Sequence, residues 1–213
     1  MTPLRSGFVA LALLLSPAGA PHPDETPVTA GSLADLGRLQ TGDVIFRRGH
    51  SLISRAVLRI DRGSEYSHVG IVVRTPRAVY VLHTAPPSGS DTASTARLDP
   101  LDQFLSPERA SAVAVYRLAG AASEIPSAAA ARALSFAAAH IPFDADFSLT
   151  TRDRMYCTEL VWRAYREVGV DLIRGRELET IWTPAGVRAV VRPSDLMSSP
   201  ALRLLTREVL DGQ

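Results

Sequence analysis

Apolar residues recur along this chain with two periods, and the periods divide it into strands and helices. Gly42-Asp43-Val44-Ile45-Phe46 is a short apolar run after a turn and predicts a strand. Apolar residues at 52, 53, 56, 57 and 60 have helical spacing, so residues 51–60 predict a helix. Residues 69–73 are almost continuously apolar and β-branched, the pattern of a buried strand. Thr75-Pro76-Arg77 is a turn, and residues 79–83 return as the second strand of a hairpin. Residues 85–95 are rich in Pro, Gly, Ser and Thr and predict a loop. Residues 98–105 contain a short segment able to cap a cleft, and residues 112–118 predict another strand.

An Ala-rich stretch over 127–140 has no internal Pro or Gly and predicts a helix capped by Ser127. A second helix is expected over 156–168, ended by Gly169, with Cys157, Leu160, Val161, Ala164 and Val168 on one face. Residues 184–191 predict a last apolar strand, followed by Pro193-Ser194-Asp195-Leu196 and a polar tail. A β meander interleaved with helices argues for an α+β fold. No internal repeat is present.

The start of the chain changes the picture of where it works. Arg5, the apolar run 8–15 and the small residues Ala18-Gly19-Ala20 have the pattern of a secretory signal peptide over residues 1–20. The apolar run is too short to span a bilayer, and an uncleaved anchor is the weaker reading. Residues 21–32 read as a flexible lead-in, and residues 33–205 as one catalytic domain. The chain is expected to be exported, periplasmic or secreted, and soluble once the leader is removed. No stable membrane insertion is expected, because no later segment is long and apolar enough to span. Hydrophobic content of 46% and charged content of 21% are ordinary for a globular domain with a real core. Net charge is +1 with Arg thinly spread, so nothing predicts a nucleic-acid partner. The oligomeric state is left open.

Cysteine usage narrows the chemistry. The chain has one Cys, so no intramolecular disulfide can form. A lone thiol in an oxidising compartment is a liability unless it is buried or used. Cys157 falls at the start of a predicted helix, where free backbone N–H groups and the helix dipole favour a thiolate. The same N–H groups can hold an oxyanion. His68 opens a predicted strand 89 positions earlier and is the candidate general base. His83 ends the neighbouring hairpin strand and is the candidate orienting member of a triad. Tyr66, Tyr156 and Glu159 are candidates for contact with substrate or oxyanion. The bland alternatives are a core cysteine, a satisfied core histidine and a surface histidine at a strand end. A metal site from His68, His83 and Cys157 lacks any close ligand spacing, and neither metal nor cofactor is expected.

Taken in order, these pieces resemble the permuted papain-like amidases, the YiiX-like branch of the NlpC-type cysteine peptidase superfamily. The resemblance rests on Gly42-Asp43-Val44-Ile45-Phe46-Arg47-Arg48-Gly49, Tyr66-Ser67-His68-Val69-Gly70-Ile71 and Tyr156-Cys157-Thr158-Glu159-Leu160-Val161. Pro142-Phe143-Asp144 and Pro193-Ser194-Asp195-Leu196 add to it, and together the motifs cover about residues 39–200. The resemblance implies an α+β, circularly permuted papain-like fold, with an antiparallel sheet or barrel packed on the helix that carries the cysteine. It implies that Cys157 attacks a carbonyl and that His68 activates it. Permuted members often carry Glu at the third position, where this chain has His83.

The function expected is hydrolysis of an amide or peptide bond by an exported thiol enzyme, on cell-wall peptide or an amino-acid amide. A lipid-directed thiol acyltransferase or esterase is the second reading, and a noncatalytic binding module on the same fold the third. The expected partner is accordingly a peptide, amide or lipid substrate.

Overall fold

A computed structural model describes residues 37–86, 94–120, 124–183 and 186–210. The residues expected to form a signal peptide and a lead-in, and most of the 85–95 loop, lie outside the described residues. The elements run β1 (Val44–Arg48), α1 (Leu52–Ile60), β2 (His68–Arg74), β3 (Val79–Thr84), β4 (Ala96–Pro100) and α2 (Leu101–Phe104). They continue with β5 (Ala112–Leu118), α3 (Glu124–Ala138), α4 (Cys157–Arg166), β6 (Thr180–Thr183), β7 (Gly186–Ala189), α5 (Pro193–Met197) and β8 (Leu202–Val209).

Six strands form an antiparallel sheet in the order β4-β3-β2-β1-β5-β8, with β4 and β8 at its edges. The described strands make this open sheet, not a closed barrel. Strand alternation divides the core in two. Val44, Phe46, Val69, Ile71 and Leu82 point to one face, where residues of α3 and α4 including Ala130, Ala133, Leu160 and Val161 cover them. Ile45, Val72, Val81, Val113 and Val115 point to the other face, beneath Phe104 of α2 and Leu39. Both faces are covered, which is why residues 69–73 are apolar without alternation.

Four expectations need correction. The segment read as a cleft cap is an edge strand, β4, continued by the single turn α2. The apparently polar tail is strand β8, paired with β5 from Leu202↔Leu118 to Val209↔Ala112. A register shift opposite Val115 and Tyr116 breaks its alternation, so Leu202 and Leu204 pack on one core cluster and Leu205 on the other, with Arg203 and Arg207 exposed. The Ala-rich helix begins at Glu124, so Ser127 lies inside it rather than capping it. Of the residues expected as one strand over 184–191, Gly186–Ala189 form the second arm of a small hairpin, β6–β7.

Close backbone approach holds the two halves together. Gly42 has φ +92°, and a Cβ there would stand 2.3 Å from that of Pro126. Glycine is therefore required both by conformation and by space. The Gly42 carbonyl accepts a hydrogen bond from the buried Tyr165 hydroxyl of α4, which ties the Cys157 helix to the start of β1. Asp43 accepts a bidentate pair from Arg117, at 2.7 Å to each oxygen, and the Gln40 N–H at 2.8 Å.

Candidate active site

Cys157 is the first residue of α4, after Tyr156 in extended conformation at the N-cap. Glu159 accepts from the Tyr156 N–H at 3.3 Å, as an acidic group in the first turn should. Thr158 donates to the Val191 carbonyl at 2.6 Å, and the Val191 N–H donates to the Tyr156 hydroxyl at 2.9 Å. The chain at 191 is thus strapped across the helix start. The strap is anchored in turn to α1, because Asp61 accepts from the Ser194 N–H at 2.8 Å.

The half-buried sulfur sits at this crossing. Burial pushes its pKa up to about 11, against the pull of the Val69, Thr158 and Cys157 backbone amides and the Arg47 charge. Desolvation therefore outweighs the helix start, and the resting group is a thiol.

His68 opens β2, one residue before Val69, and lines the same cavity as Cys157. His68 Nε2 lies 2.9 Å from His83 Nδ1, and His83 Nε2 lies 3.0 Å from Asp99 Oδ2. The β3–β4 register places Arg97 opposite His83, and Asp99 two residues on shares its face. Phe104 packs beneath both imidazoles, at 5.7 Å from His68 and 5.1 Å from His83. Arg47 lies over the other side of that ring, 4.4 Å from its centre.

The protonation states follow from the neighbours. Although burial pushes it up, the Asp99 carboxyl is held down to about 2 by the hydrogen bond and charge of His83, with Arg97 and Arg109. Burial lowers His83 to about 4 against the opposing effect of Asp99. Burial, then Arg47, His83 and Arg97, hold His68 well below its ordinary value. Both rings are neutral near pH 7, and Asp99 is charged. An ionised Asp99 can only accept, so His83 carries its proton on Nε2. His83 Nδ1 must then accept, so His68 carries its proton on Nε2 and presents a bare Nδ1 lone pair. One carboxylate thereby fixes the tautomers of two rings.

The structure brings together Cys157, His68 and His83, and adds Asp99, which the sequence reading passed over. It does not bring Tyr66 or Glu159 to the cavity. Tyr66 is 1% exposed in the core, with its hydroxyl donating to the Val113 carbonyl at 3.4 Å. Glu159 is fully buried and ion-paired with Arg163 at 2.7 Å. Burial raises its carboxyl to about 7 despite that partner. Tyr156 does line the cleft, but through its ring, its hydroxyl being taken by Val191.

A half-buried thiol at a helix start, sharing a cavity with a strand-borne imidazole hydrogen-bonded into a polar relay, is a papain-like arrangement with the histidine first in the chain. The chain belongs to the family described as permuted papain-like amidase enzyme, YaeF/YiiX, C92 family, whose model matches residues 38–206. Among solved structures, the crystal structure of metalloprotein yiiX from Escherichia coli O157:H7 is similar, with a TM-score of 0.67. It is 24% identical, and the match covers 80% of this chain and 98% of that one. No curated protein matches the chain.

Proposed function

We propose that the protein is a thiol amidase in which Cys157 is the nucleophile, His68 the general base and acid, and His83 and Asp99 positioning residues. The observation that carries this is the relay Asp99–His83–His68, which leaves one unprotonated nitrogen on an imidazole that shares a cavity with Cys157. His68 Nδ1 takes the thiol proton as Sγ attacks the carbonyl carbon. The resting pair is neutral, so proton transfer accompanies attack instead of preceding it. Free N–H groups at the start of α4 stabilise the oxyanion, without a tyrosine hydroxyl. His68 returns the proton to the leaving amine or alcohol as its bond to carbon breaks, leaving a thioester on Cys157. Water then attacks that thioester, gives its proton to His68, and the thiol is restored.

The neighbour's metal does not transfer to this reading. Among the described residues no group of three or more His, Cys, Asp or Glu side chains could hold a metal ion. The His68 and His83 nitrogens that face each other and Asp99 are already committed, and no step is routed through a metal.

The test is acylation by a p-nitrophenyl ester, followed by mass spectrometry of the Cys157 peptide. The wild type should release a burst of nitrophenol and gain one acyl group on Cys157, and Cys157→Ala should do neither. His68→Ala should slow acylation by at least about a hundredfold, the usual worth of a general base. Equal rates in wild type and His68→Ala would sink the assignment. Export is proposed from residues 1–20. The mature protein recovered outside the cytoplasm should begin at Pro21, and an intact leader there would refute it. No described helix is long and apolar enough to cross a membrane.

A further inference from the structure

Helix α1 turns its apolar side away from the core. Residues 52, 53, 56, 57 and 60 are apolar and fall on one side of it, yet its one buried residue is Ser54. Leu52 is 80% exposed, with Ile53 and Ile60 also in contact with water. The small hairpin β6–β7 does the same on another flank of the cleft. Ile181 of β6 lines the cleft together with Ile53 and Ile60, so alternation turns Trp182 to the outer face of the hairpin. There it stands beside its cross-strand partner Val187, one pair short of the closing pair Thr183↔Gly186. Trp182 is 79% exposed and Val187 61%, and neither lines the cleft. Two separate apolar ridges therefore border one opening and bury nothing of their own.

The charge on this surface is one-sided. Residues 47–62 hold five arginines and one acid, in a chain of net charge +1. That acid, Asp61, is buried and accepts from the Ser194 N–H. Arg55 and Arg59, one turn apart, border the apolar side of α1 next to Leu52, and Arg62 follows its end. All three are exposed, and none makes an ion pair among the described residues. Glu65, the next acid along the chain, lies 3.7 Å from Arg207 instead.

We propose that this face docks the protein on the surface of an anionic phospholipid bilayer. Leu52 and Trp182 enter the zone between headgroups and acyl chains, where an indole keeps its ring in apolar surroundings and its N–H in water. Arg55, Arg59 and Arg62 meet the lipid phosphates. The protein rests on one leaflet and does not cross it, in keeping with the lack of a spanning helix among the described residues. Charge favours this occupant over the others. A second copy would set the same arginines against each other across a two-fold axis. A protein partner would need acids opposite three arginines and an apolar surface matched to two ridges on separate elements. A leaflet offers phosphate at every position and adapts to both ridges. The docking needs no catalysis, so it stands whether or not Cys157 turns over a substrate.

The test is sedimentation of the full chain with vesicles of phosphatidylcholine alone, and with about one-third phosphatidylglycerol, at low and high salt. An arginine near an anionic leaflet is worth about fivefold in partitioning. Three of them should favour the anionic vesicles on the order of a hundredfold, and high salt should remove most of that preference. Arg55→Gln with Arg59→Gln should weaken anionic binding about thirtyfold. Leu52→Ser and Trp182→Ser should each weaken binding at least about tenfold. These side chains stand in solvent, so the variants keep the core. Lipids brominated in their acyl chains should quench Trp182, and the quenching should vanish in Trp182→Phe. Trp162, the second tryptophan of the chain, is buried and bonded to Asp171, so this signal reports the docking face alone. Vesicle binding that ignores these substitutions would overturn the proposal. So would the absence of binding, which would leave the face to a protein partner. A dimer without lipid that Trp182→Ser dissolves would also overturn it, by assigning the face to a second copy.

Discussion

Replacing Asp99 by Leu should disable the site without touching the thiol or the base. Asp99 Oδ2 accepts from His83 Nε2 at 3.0 Å and from Arg109 at 3.2 Å, and Oδ1 lies 3.3 Å from Arg97 Nε. With the carboxylate gone, two guanidinium groups face His83 Nε2. They favour a lone pair there, so the His83 proton moves to Nδ1 and points at His68. His68 must then accept on Nε2 and carry its proton on Nδ1, where it can no longer take one from Cys157. The lost charge-assisted hydrogen bond is worth about 1.5–3 kcal/mol. A tautomer shift of about 2–3 kcal/mol converts to roughly 30- to 160-fold, so kcat/KM should fall about a hundredfold with KM little changed. Nitrogen-15 spectra of the two rings should show both tautomers reversed. Asp99→Asn keeps an oxygen acceptor and should lose less, about tenfold. Arg97 and Arg109 are partly exposed, 18% and 30% at the side chain, so their charges can turn to water. A folded Leu variant within threefold of wild-type activity, or with unchanged tautomers, would refute the relay.

The acid limb of kcat/KM should lie below pH 6.5, because burial holds His68 neutral under its ordinary value; a profile over pH 4–8 that already falls at 7 would contradict this. Stability should also drop as pH falls from 6.5 to 4, since the unfolded His83 binds a proton there and the folded ring, at about 4, does not. The loss is on the order of 3 kcal/mol for that ring and is read from urea midpoints across the window. Gly70→Ala should cost about 1–3 kcal/mol and depress activity further, because the added Cβ would meet Val81 Cγ1 at 2.5 Å and His83 Cβ at 3.1 Å. Tyr165→Phe, which leaves the Gly42 carbonyl unpaired, should lower unfolding stability by about 1–3 kcal/mol, measured by denaturant unfolding, with rates at saturating substrate kept.

The parts legible in the sequence are those whose burial has a period. β1, β2, β3, β5, α1 and α4 announce themselves through runs such as Val69-Gly70-Ile71-Val72-Val73 that both core faces require. The two edge strands escaped notice. Ala96-Arg97-Leu98-Asp99-Pro100 mixes charge with apolar residues and ends in proline, as an edge permits. Leu202 to Val209 alternates weakly because a register shift opposite Val115 and Tyr116 interrupts its period. Missing β4 meant missing Asp99. The signal available was a lone acid of the same strand parity as the residue opposite His83, in a register that only pairing reveals. Tyr66 misled for the opposite reason. It directly precedes the Ser67-His68 pair, yet it lies outside β2, and the bend before that strand turns its ring into the core face opposite to His68. Cys157 was found, but not its protonation state, because desolvation depends on what covers the helix start.

Chain order also governs when the protein becomes reactive. His68, His83 and Asp99 are separated by 15 and 16 residues and lie on consecutive hairpin strands. Contacts so local close early, whereas docking α4 on β2 joins segments far apart in the chain. On a ribosome His68, His83 and Asp99 are all made before residue 157, so the proposed base and its relay are expected to assemble ahead of the thiol. A nascent chain therefore carries an assembled acceptor for a proton that no thiol yet offers, and the nucleophile arrives last, into a finished socket. Pulse-labelled hydrogen exchange should find the β2–β4 amides protected ahead of those in α4; simultaneous protection would show that the sheet waits for the helix.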